Sequence, residues 1–353
     1  MTPPRTQALA EGALGMALLH IERGNLAVAR PLLAEAVVGG VSTGSNASLF
    51  HGAPALEFVL GRAGRADHSV QTAVDRVVAA RLAMARRRRE AARPPTLAEF
   101  DLIRGLTGLG ALLLARAGSP RPLLQEVLAH LVTLAVPAEA EARVLPGWWA
   151  SDSPPHEDIA GGHANNGVAH GIAGPLALLS LAARRGVLVE GQTGAIETFT
   201  AWLEEFGSFY WITLDLLADE PQQAPPLRPS WCYGDLGIAR TLQLAACALG
   251  DDARRRKAEE LAVTALTDPA RLDRVTDASL CHGWAGLLTV TTAIAADSFT
   301  PDRFAEPIRQ TRQRLAAGIA ALSKPGFLEG SAGAALALEG ANVTGWTRAL
   351  LID

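Results

Sequence analysis

A short glycine motif that recurs seven times constrains the fold of this chain more than any other feature. Each copy reads Gly-x-x-Gly, or Gly-x-x-Ala in the second, and each opens an apolar run rich in alanine and leucine. Repeats of this kind build stacked helical units, because one unit alone cannot bury its apolar face. The motifs begin at Gly12, Gly52, Gly105, Gly171, Gly234, Gly283 and Gly330.

The segments between the motifs are amphipathic and carry more charge, as in 69–92, 252–266 and 303–322. This alternation predicts a buried inner helix followed by an exposed outer helix in each repeat. Strand patterns are nearly absent. We therefore predict an all-α fold, a double-layered α/α toroid (α-barrel) of about seven helical hairpins, with residues 1–353 forming a single domain. An open solenoid of the same hairpins is the alternative.

Two uncharged runs, 168–183 and 279–296, need to be compared with membrane spans, since the second approaches the necessary length. Both contain polar His-Gly motifs near their start and are rich in small residues. We interpret them as helices buried on all sides within the protein, and we expect no membrane span.

Composition narrows the classes of partner and compartment. The chain carries 32 basic and 36 acidic residues, a net charge of −4, which gives no electrostatic attraction for nucleic acid. Its three cysteines argue against a disulfide scaffold and for a reducing compartment. The N-terminus lacks the charged start and apolar run of a signal peptide, so we expect a cytoplasmic protein.

Cys232 precedes the fifth glycine motif by two residues, and Cys281 and His282 directly precede the sixth. Cys232 is in SWCYG, and Cys281 with His282 is in LCHG. In a toroid these residues lie at the N-terminal ends of adjacent inner helices, where thiol pKa values are lowered. Two thiols and an imidazole suit zinc and leave its fourth tetrahedral position open. Cys247, in an apolar run, is interpreted as a small buried hydrophobic residue.

The ligand set is compatible with two reactions of a bound zinc ion, the activation of a thiol and the activation of water. Two thiolates make the site electron-rich, which favours activation of a substrate thiol. Activation of water for hydrolysis uses the same ion and stays open at this point.

The chain resembles the lanthipeptide (lantibiotic) cyclases of the LanC and LanC-like family. The resemblance depends on HGIAG (170–174), WCYG (231–234) and CHGWAG (281–286), with GHANNGVAHG and FLEGSAG in family order. It implies an α/α toroid with zinc bound by the two cysteines and the adjacent histidine. It also implies lanthionine and methyllanthionine formation, in which a peptide cysteine adds to dehydroalanine or dehydrobutyrine.

The resemblance also implies three cavity residues beside the metal. The histidine of the family's His-Gly motif corresponds to His170, the arginine before the first zinc cysteine to Arg228, and an aspartate before the third glycine motif to Asp101. His170 is the candidate acid, Arg228 a candidate stabiliser of an enolate, and Asp101 a residue that orients His170 or accepts a proton. A helix cap for Asp101, a core histidine for His170 and a loop ion pair for Arg228 are the structural alternatives.

The leading hypothesis is a zinc-dependent cyclase that acts on a dehydrated precursor peptide supplied by a separate dehydratase. A LanC-like transferase that adds glutathione to dehydroamino acids is the first alternative, and a non-catalytic peptide-binding scaffold is the second. An α/α-barrel glycoside hydrolase fits less well, since it has no use for the cysteine motifs. Trp148, Trp149 and the run Arg86–Arg89 are candidates for contacting the peptide, and the sequence does not choose among them.

Overall fold

The computed structural model describes residues 5–118, 121–140, 143–152, 159–218 and 227–353. Within these ranges the chain is mostly helical, with two antiparallel pairs of three-residue strands, β1 with β2 and β3 with β4. The helices are α1 (Ala13–Glu22), α2 (Leu26–Val37), α3 (Ala53–Arg62), α4 (His68–Glu90), α5 (Leu97–Phe100), α6 (Leu106–Ala115), α7 (Pro122–Val132), α8 (Ala173–Arg184), α9 (Gln192–Phe206), α10 (Leu214–Ala218), α11 (Asp235–Leu249), α12 (Asp252–Thr267), α13 (Pro269–Leu272), α14 (Trp284–Ala296), α15 (Ala305–Gly318) and α16 (Ser331–Glu339). The strands are β1 (Ala138–Ala140), β2 (Arg143–Leu145), β3 (His163–Asn165) and β4 (Trp211–Thr213).

Seven inner helices form a closed ring. They are α1, α3, α6, α8, α11, α14 and α16. Each starts directly after the opening glycine of its motif, except α8, which starts two residues after Gly171. Each contacts the next, and α16 contacts α1. Outer helices α2, α4, α7, α9, α12 and α15 follow the first six inner helices, and a 3-10 turn, Trp346–Leu350, follows the last. The predicted all-α toroid is confirmed, and the open solenoid is wrong because the ends of the array meet.

Burial separates the two layers. All ten residues of α6 are buried, and so are the first ten of α8, from Ala173 to Ala182. The outer helix α4 instead buries one stripe that includes Val74, Val78 and Leu82, at the spacing of a helix face. None of the helices in the described ranges combines the length and apolar character required to traverse a bilayer. Most of the run 168–183 forms the buried inner helix α8, as predicted, whereas α14, within 279–296, exposes Thr292 and Ala296.

The closing glycine of the motif allows the loop before an inner helix to lie close to the first turn of that helix. A β-carbon added at Gly237 would lie 2.1 Å from the carbonyl oxygen of Trp231, and one at Gly286 would lie 2.2 Å from that of Leu280. Neither glycine has a positive φ, so space rather than backbone conformation excludes a side chain. The loop before each inner helix can therefore fold back onto the first helical turn.

These loops are joined around one rim of the ring by backbone hydrogen bonds. The amide of Cys232 donates to the carbonyl of Cys281 at 3.2 Å, and the amide of Cys281 donates to Leu328 at 2.9 Å. The amide of Leu328 donates to Ala10 at 3.0 Å, which connects the last repeat to the first. The rim therefore fixes residues at equivalent motif positions side by side.

Candidate metal centre

Cys232, Cys281 and His282 meet on this rim. Each cysteine lies two residues before the opening glycine of its motif, so the hydrogen bond between their backbones places the two side chains next to each other. One ligand atom from each of the three residues lies within 4.8 Å of the others. Cys232 is buried, whereas Cys281 and His282 are partly buried. The sequence prediction named these three residues, and the structure brings them together.

The two sulfurs are electrostatically coupled. The hydrogen bond from Cys281 holds the pKa of the Cys232 thiol well below its ordinary value, against the opposing effect of burial. The same hydrogen bond, together with burial, raises the pKa of the Cys281 thiol well above its ordinary value. Without a metal, Cys232 therefore loses its proton before Cys281 does. A cation bound between the two sulfurs would favour the loss of both protons.

A carboxylate orients the imidazole. The Nε2 atom of His282 lies 3.0 Å from Oδ2 of Asp277, which leaves Nδ1 as the nitrogen available for a metal. The hydrogen bond to Asp277, followed by that to Cys232, raises the pKa of His282 to about 9, although burial opposes the shift. Burial also opposes ionisation of Asp277, but hydrogen bonds from His282 and Ser279 hold the pKa of its carboxyl well below the ordinary value.

The donor set fits zinc. Soft thiolates and an imidazole are ligands that zinc prefers, and a carboxylate on the second imidazole nitrogen is the usual partner of a metal-bound histidine. Among the described residues, this group of possible ligands contains three members rather than four. Three protein ligands are typical of a zinc site that also accepts a water or substrate atom.

His170 and Asp101 form a hydrogen-bonded pair. Nδ1 of His170 lies 2.7 Å from Oδ2 of Asp101, whose side chain is fully buried, while the histidine side chain is 25% exposed. The other carboxylate oxygen of Asp101 accepts from the backbone amides of Arg104, at 2.6 Å, and Gly105, at 2.8 Å. Asp101 is therefore both a local cap and a hydrogen-bond partner of His170, and its role in a reaction stays a prediction.

Tyr233 connects this pair to the candidate metal ligands. Its ring stacks on that of His170, with centroids 6.2 Å apart and planes inclined by 29°, and it follows Cys232 directly in the chain. Its hydroxyl accepts a hydrogen bond of 3.0 Å from the side-chain amide of Asn165. Burial raises the pKa of Tyr233, against the opposing effect of Asn165. The phenol is therefore a neutral, positioned donor.

Arg228 lies partly buried beside the same group. Its Nε atom is buried and has no hydrogen-bond partner among the described residues. Its positive charge acts to lower the pKa of Cys281, against the larger opposing effects of Cys232 and burial. No ion pair joins Arg228 to an acid in the described part of the chain, so the alternative of a loop ion pair finds no partner there.

Comparison with known proteins agrees with this geometry. A family model described as lanthionine synthetase C-like protein matches residues 3–346, which is nearly the whole chain. The chain belongs to the lanthionine synthetase C-like family. The predicted resemblance is therefore confirmed.

A curated sequence and a solved structure show how far the similarity extends. The nisin biosynthesis protein NisC of Lactococcus lactis subsp. lactis is 29% identical over 208 residues, which cover 54% of this chain and 49% of that protein. The match thus spans about half the length of the curated relative. The solved structure of nisin cyclase superposes with a TM-score of 0.80 at 22% identity, covering 98% of this chain and 92% of that one. This second match confirms the fold.

Two residues of this lanthionine synthetase C-like site were not predicted from the sequence. They are Asp277, which contacts His282, and Tyr233, which stacks on His170. One signal was present: SWCYG and SLCHG share a serine two residues before each cysteine. Ser230 Oγ accepts from the amide of Tyr233 at 3.4 Å, and Ser279 Oγ accepts from the amide of His282 at the same distance. The repeated serine thus marks the same loop geometry in both repeats.

Other candidates lie apart from this group. Trp148 and Trp149 are only 3% and 4% exposed, and Trp148 packs edge-on against Phe199 and Trp202. These tryptophans therefore stabilise the core rather than offering a surface to a peptide. Cys247 lies on α11 and is partly buried, not fully buried as expected.

Proposed function

We propose that this protein is a zinc-dependent lanthipeptide cyclase, a lanthionine synthetase that closes thioether rings in a dehydrated precursor peptide. One observation carries the proposal: two cysteines and a histidine from adjacent repeats gather within 4.8 Å, and their rim also holds the His170–Asp101 pair. The ligand set supplies a place for a thiol, and the pair supplies a group that moves protons. Family membership supports the same chemistry.

The reaction needs one new bond and one proton transfer. A sulfur–carbon bond forms between the peptide cysteine and the β-carbon of dehydroalanine or dehydrobutyrine, and the carbon–carbon double bond becomes a single bond. The proton lost by the thiol is balanced by one gained at the α-carbon. Cys232, Cys281 and His282 would hold zinc, which would lower the pKa of an incoming thiol and keep its sulfur deprotonated at neutral pH. The remaining tasks fall to the side chains around it.

His170 is the proposed proton donor to the α-carbon. The bond from Nδ1 of His170 to buried Asp101 leaves Nε2 as the ring nitrogen available to donate a proton. Asp101 is held in turn by two backbone amides, so the pair keeps its orientation. Asp101 thus acts as a positioning residue through His170.

Arg228 and Tyr233 are the proposed stabilisers of the enolate oxygen. A guanidinium with a buried, unpartnered N–H has a donor to offer where negative charge develops. The Tyr233 hydroxyl is positioned by Asn165, and the raised pKa of the phenol keeps its proton available for donation. Preorganised donors of this kind stabilise developing charge without rearranging.

The proposed partners are the dehydrated precursor peptide and a separate dehydratase that makes it. The chemistry requires free thiols, so we place it in the reducing environment of the cytoplasm. A transfer of glutathione to the same alkenes differs only in the source of the thiol.

The test uses a peptide that carries one dehydroalanine and one cysteine. Ring closure leaves the mass unchanged but removes the free thiol, so the product no longer gains the mass of an alkylating reagent. The wild type should close the ring without added glutathione, and Cys281→Ala should not. A glutathione adduct in place of a ring would identify a transferase, and closure by Cys281→Ala at the wild-type rate would refute the metal-dependent cyclase.

A further inference from the structure

The end of the ring opposite the candidate metal centre holds a cavity of about 570 Å³. Its walls include the C-terminal ends of inner helices α3 and α6, the residue after α8, and the segment around the final 3-10 turn. The metal ligands precede the N-termini of α11 and α14, so the two sites occupy opposite ends of the toroid. The charged residues in the walls are Glu57, Arg62, Arg65, Arg116, Arg121, Arg185 and Arg348.

The single carboxylate in these walls is already used. Glu57 accepts from Arg116 at 2.8 Å, and Asp75 accepts from the same guanidinium at 2.6 Å. Within the described ranges, none of the other five arginines forms an ion pair. Positive charge therefore exceeds negative charge in these walls, and Asp353, which is not among the lining residues, offsets part of it.

Two of these guanidinium groups crowd one point. Nη1 of Arg62 and Nε of Arg348 each lie 3.1 Å from the position that a β-carbon on Gly345 would occupy. The Nε atoms of Arg62 and Arg348 are both buried without a hydrogen-bond partner in the described part of the chain. Burial lowers the pKa of Arg62, the nearby charge of Arg348 lowers it further, and Asp353 opposes both.

Arg185 is repelled by the same neighbour, Arg348. Burial and the charge of Arg348 lower its pKa, with Asp353 again acting in the opposite direction. Nothing in the described residues accepts a hydrogen bond from the side chain of Arg185 or that of Arg348. Arg348 is partly buried, where an unpaired charge is costly, whereas Arg185 is exposed and free to meet a ligand.

Capping of helix ends explains only part of the cluster. Arg62 donates to the carbonyls of Thr344 and Ala115, and Arg121 donates to that of Leu114. These contacts account for two arginines, because the carbonyl end of a helix attracts cations. Each helix end carries about half a negative charge, which leaves most of the positive charge uncompensated. Arg185 and Arg348 have no such structural function.

We propose that this cavity binds a phosphate group, either as inorganic phosphate or at one end of a small organic phosphate. Guanidinium groups bind phosphate oxygens through paired, charge-assisted hydrogen bonds, and buried N–H groups with no other acceptor are suited to that role. Phe58, Leu112 and Leu114 also line the cavity and provide an apolar wall for an organic portion. The volume falls within the range of small-ligand sites.

The experiment is calorimetric titration of the full chain with inorganic phosphate, pyrophosphate and phenyl phosphate at fixed ionic strength. Three proteins are compared: the wild type, Arg185→Gln/Arg348→Gln, and the control Arg86→Gln/Arg89→Gln, which removes two exposed charges from α4. We expect saturable binding to the wild type and the control, and affinity weakened at least about tenfold in the first variant.

The outcomes are distinguishable. Neither Arg185 nor Arg348 donates to a protein group in the described structure, so their double variant should fold and melt, without anion, no lower than the wild type. Equal affinities in all three proteins would place the anion elsewhere, including at the metal, and would overturn the proposal. So would the absence of saturable binding in the wild type. Given arginine dependence, tighter binding of phenyl phosphate identifies an organic ligand, and equal binding identifies free phosphate.

Discussion

The contact between Asp277 and His282 provides the sharpest prediction about the candidate metal centre. In Asp277→Asn, the Oδ1 atom can still accept from the amide of Ser279, a bond of 2.7 Å, so the loop should keep its shape. The new amide nitrogen would donate to Nε2 of His282. That bond favours the tautomer with its proton on Nδ1, the nitrogen needed by the metal.

The expected loss follows from the geometry of that contact. A charge-assisted hydrogen bond contributes about 1.5–3 kcal/mol, and the side chains of His282 and Asp277 are 26% and 30% exposed, so screening favours the lower part of this range. About 1.5–2 kcal/mol corresponds to a zinc affinity weakened roughly 10- to 30-fold.

The assay is a competition for zinc with a chromophoric chelator at pH 7.5. Asp273→Asn is the matched control, because it makes the same change at an exposed position four residues away. The control should bind zinc as tightly as the wild type. If Asp277→Asn also retains wild-type affinity within about twofold, the carboxylate does not set the histidine tautomer, and the reasoning is refuted.

Three further predictions test the fold and the proton-transfer pair. Gly286→Ala should lower the free energy of unfolding by about 1–3 kcal/mol, because its β-carbon would meet a backbone carbonyl. Gly194→Ala, in a helix with open space around that position, should raise the free energy of unfolding by up to about 1 kcal/mol. Equal effects of the two variants in denaturant unfolding would contradict this reasoning. Asp101→Asn can keep its bonds to backbone amides, so it should retain zinc but slow ring closure roughly tenfold or more; an unchanged rate in the alkylation assay would remove its positioning role. In metal-free protein, the raised pKa of His282 means that its ion pair stabilises fully below pH 6.5 and is lost as the pH rises through about 9. Between these two pH values, the melting temperature of the wild type should therefore fall relative to that of Asp277→Asn. A difference in melting temperature that does not change with pH would rule out a stabilising ion pair between His282 and Asp277.

The ring and the ligand set could be predicted because both depend on short sequence motifs that repeat along the chain. Each motif specifies one inner helix, and its closing glycine marks where a loop folds back, as Gly237 does onto Trp231. Equivalent motif positions then become neighbours, which is why Cys232 and Cys281 meet across a single hydrogen bond. Local repetition is enough to infer this contact.

Features that depend on side-chain packing between distant segments could not be predicted. The pairing of Asp277 with His282 depends on how a loop turns, and the burial of Trp148 depends on Phe199 and Trp202, which come from another helix. The crowding of Arg62 and Arg348 joins residues from repeats at the two ends of the chain. The spacing of residues in the sequence does not indicate these side-chain contacts. The single-domain organisation of residues 1–353 stays a prediction.

X-ray absorption at the zinc edge tests the central proposal most directly, because it counts the sulfurs around the metal in the working protein. In the purified wild type we expect about two sulfur neighbours at roughly 2.3 Å together with nitrogen and oxygen. Addition of a non-reactive peptide that contains a cysteine should raise the number to about three. Full ring-closing activity in protein without zinc, or a sulfur count unchanged by a bound peptide thiol, would contradict the proposal.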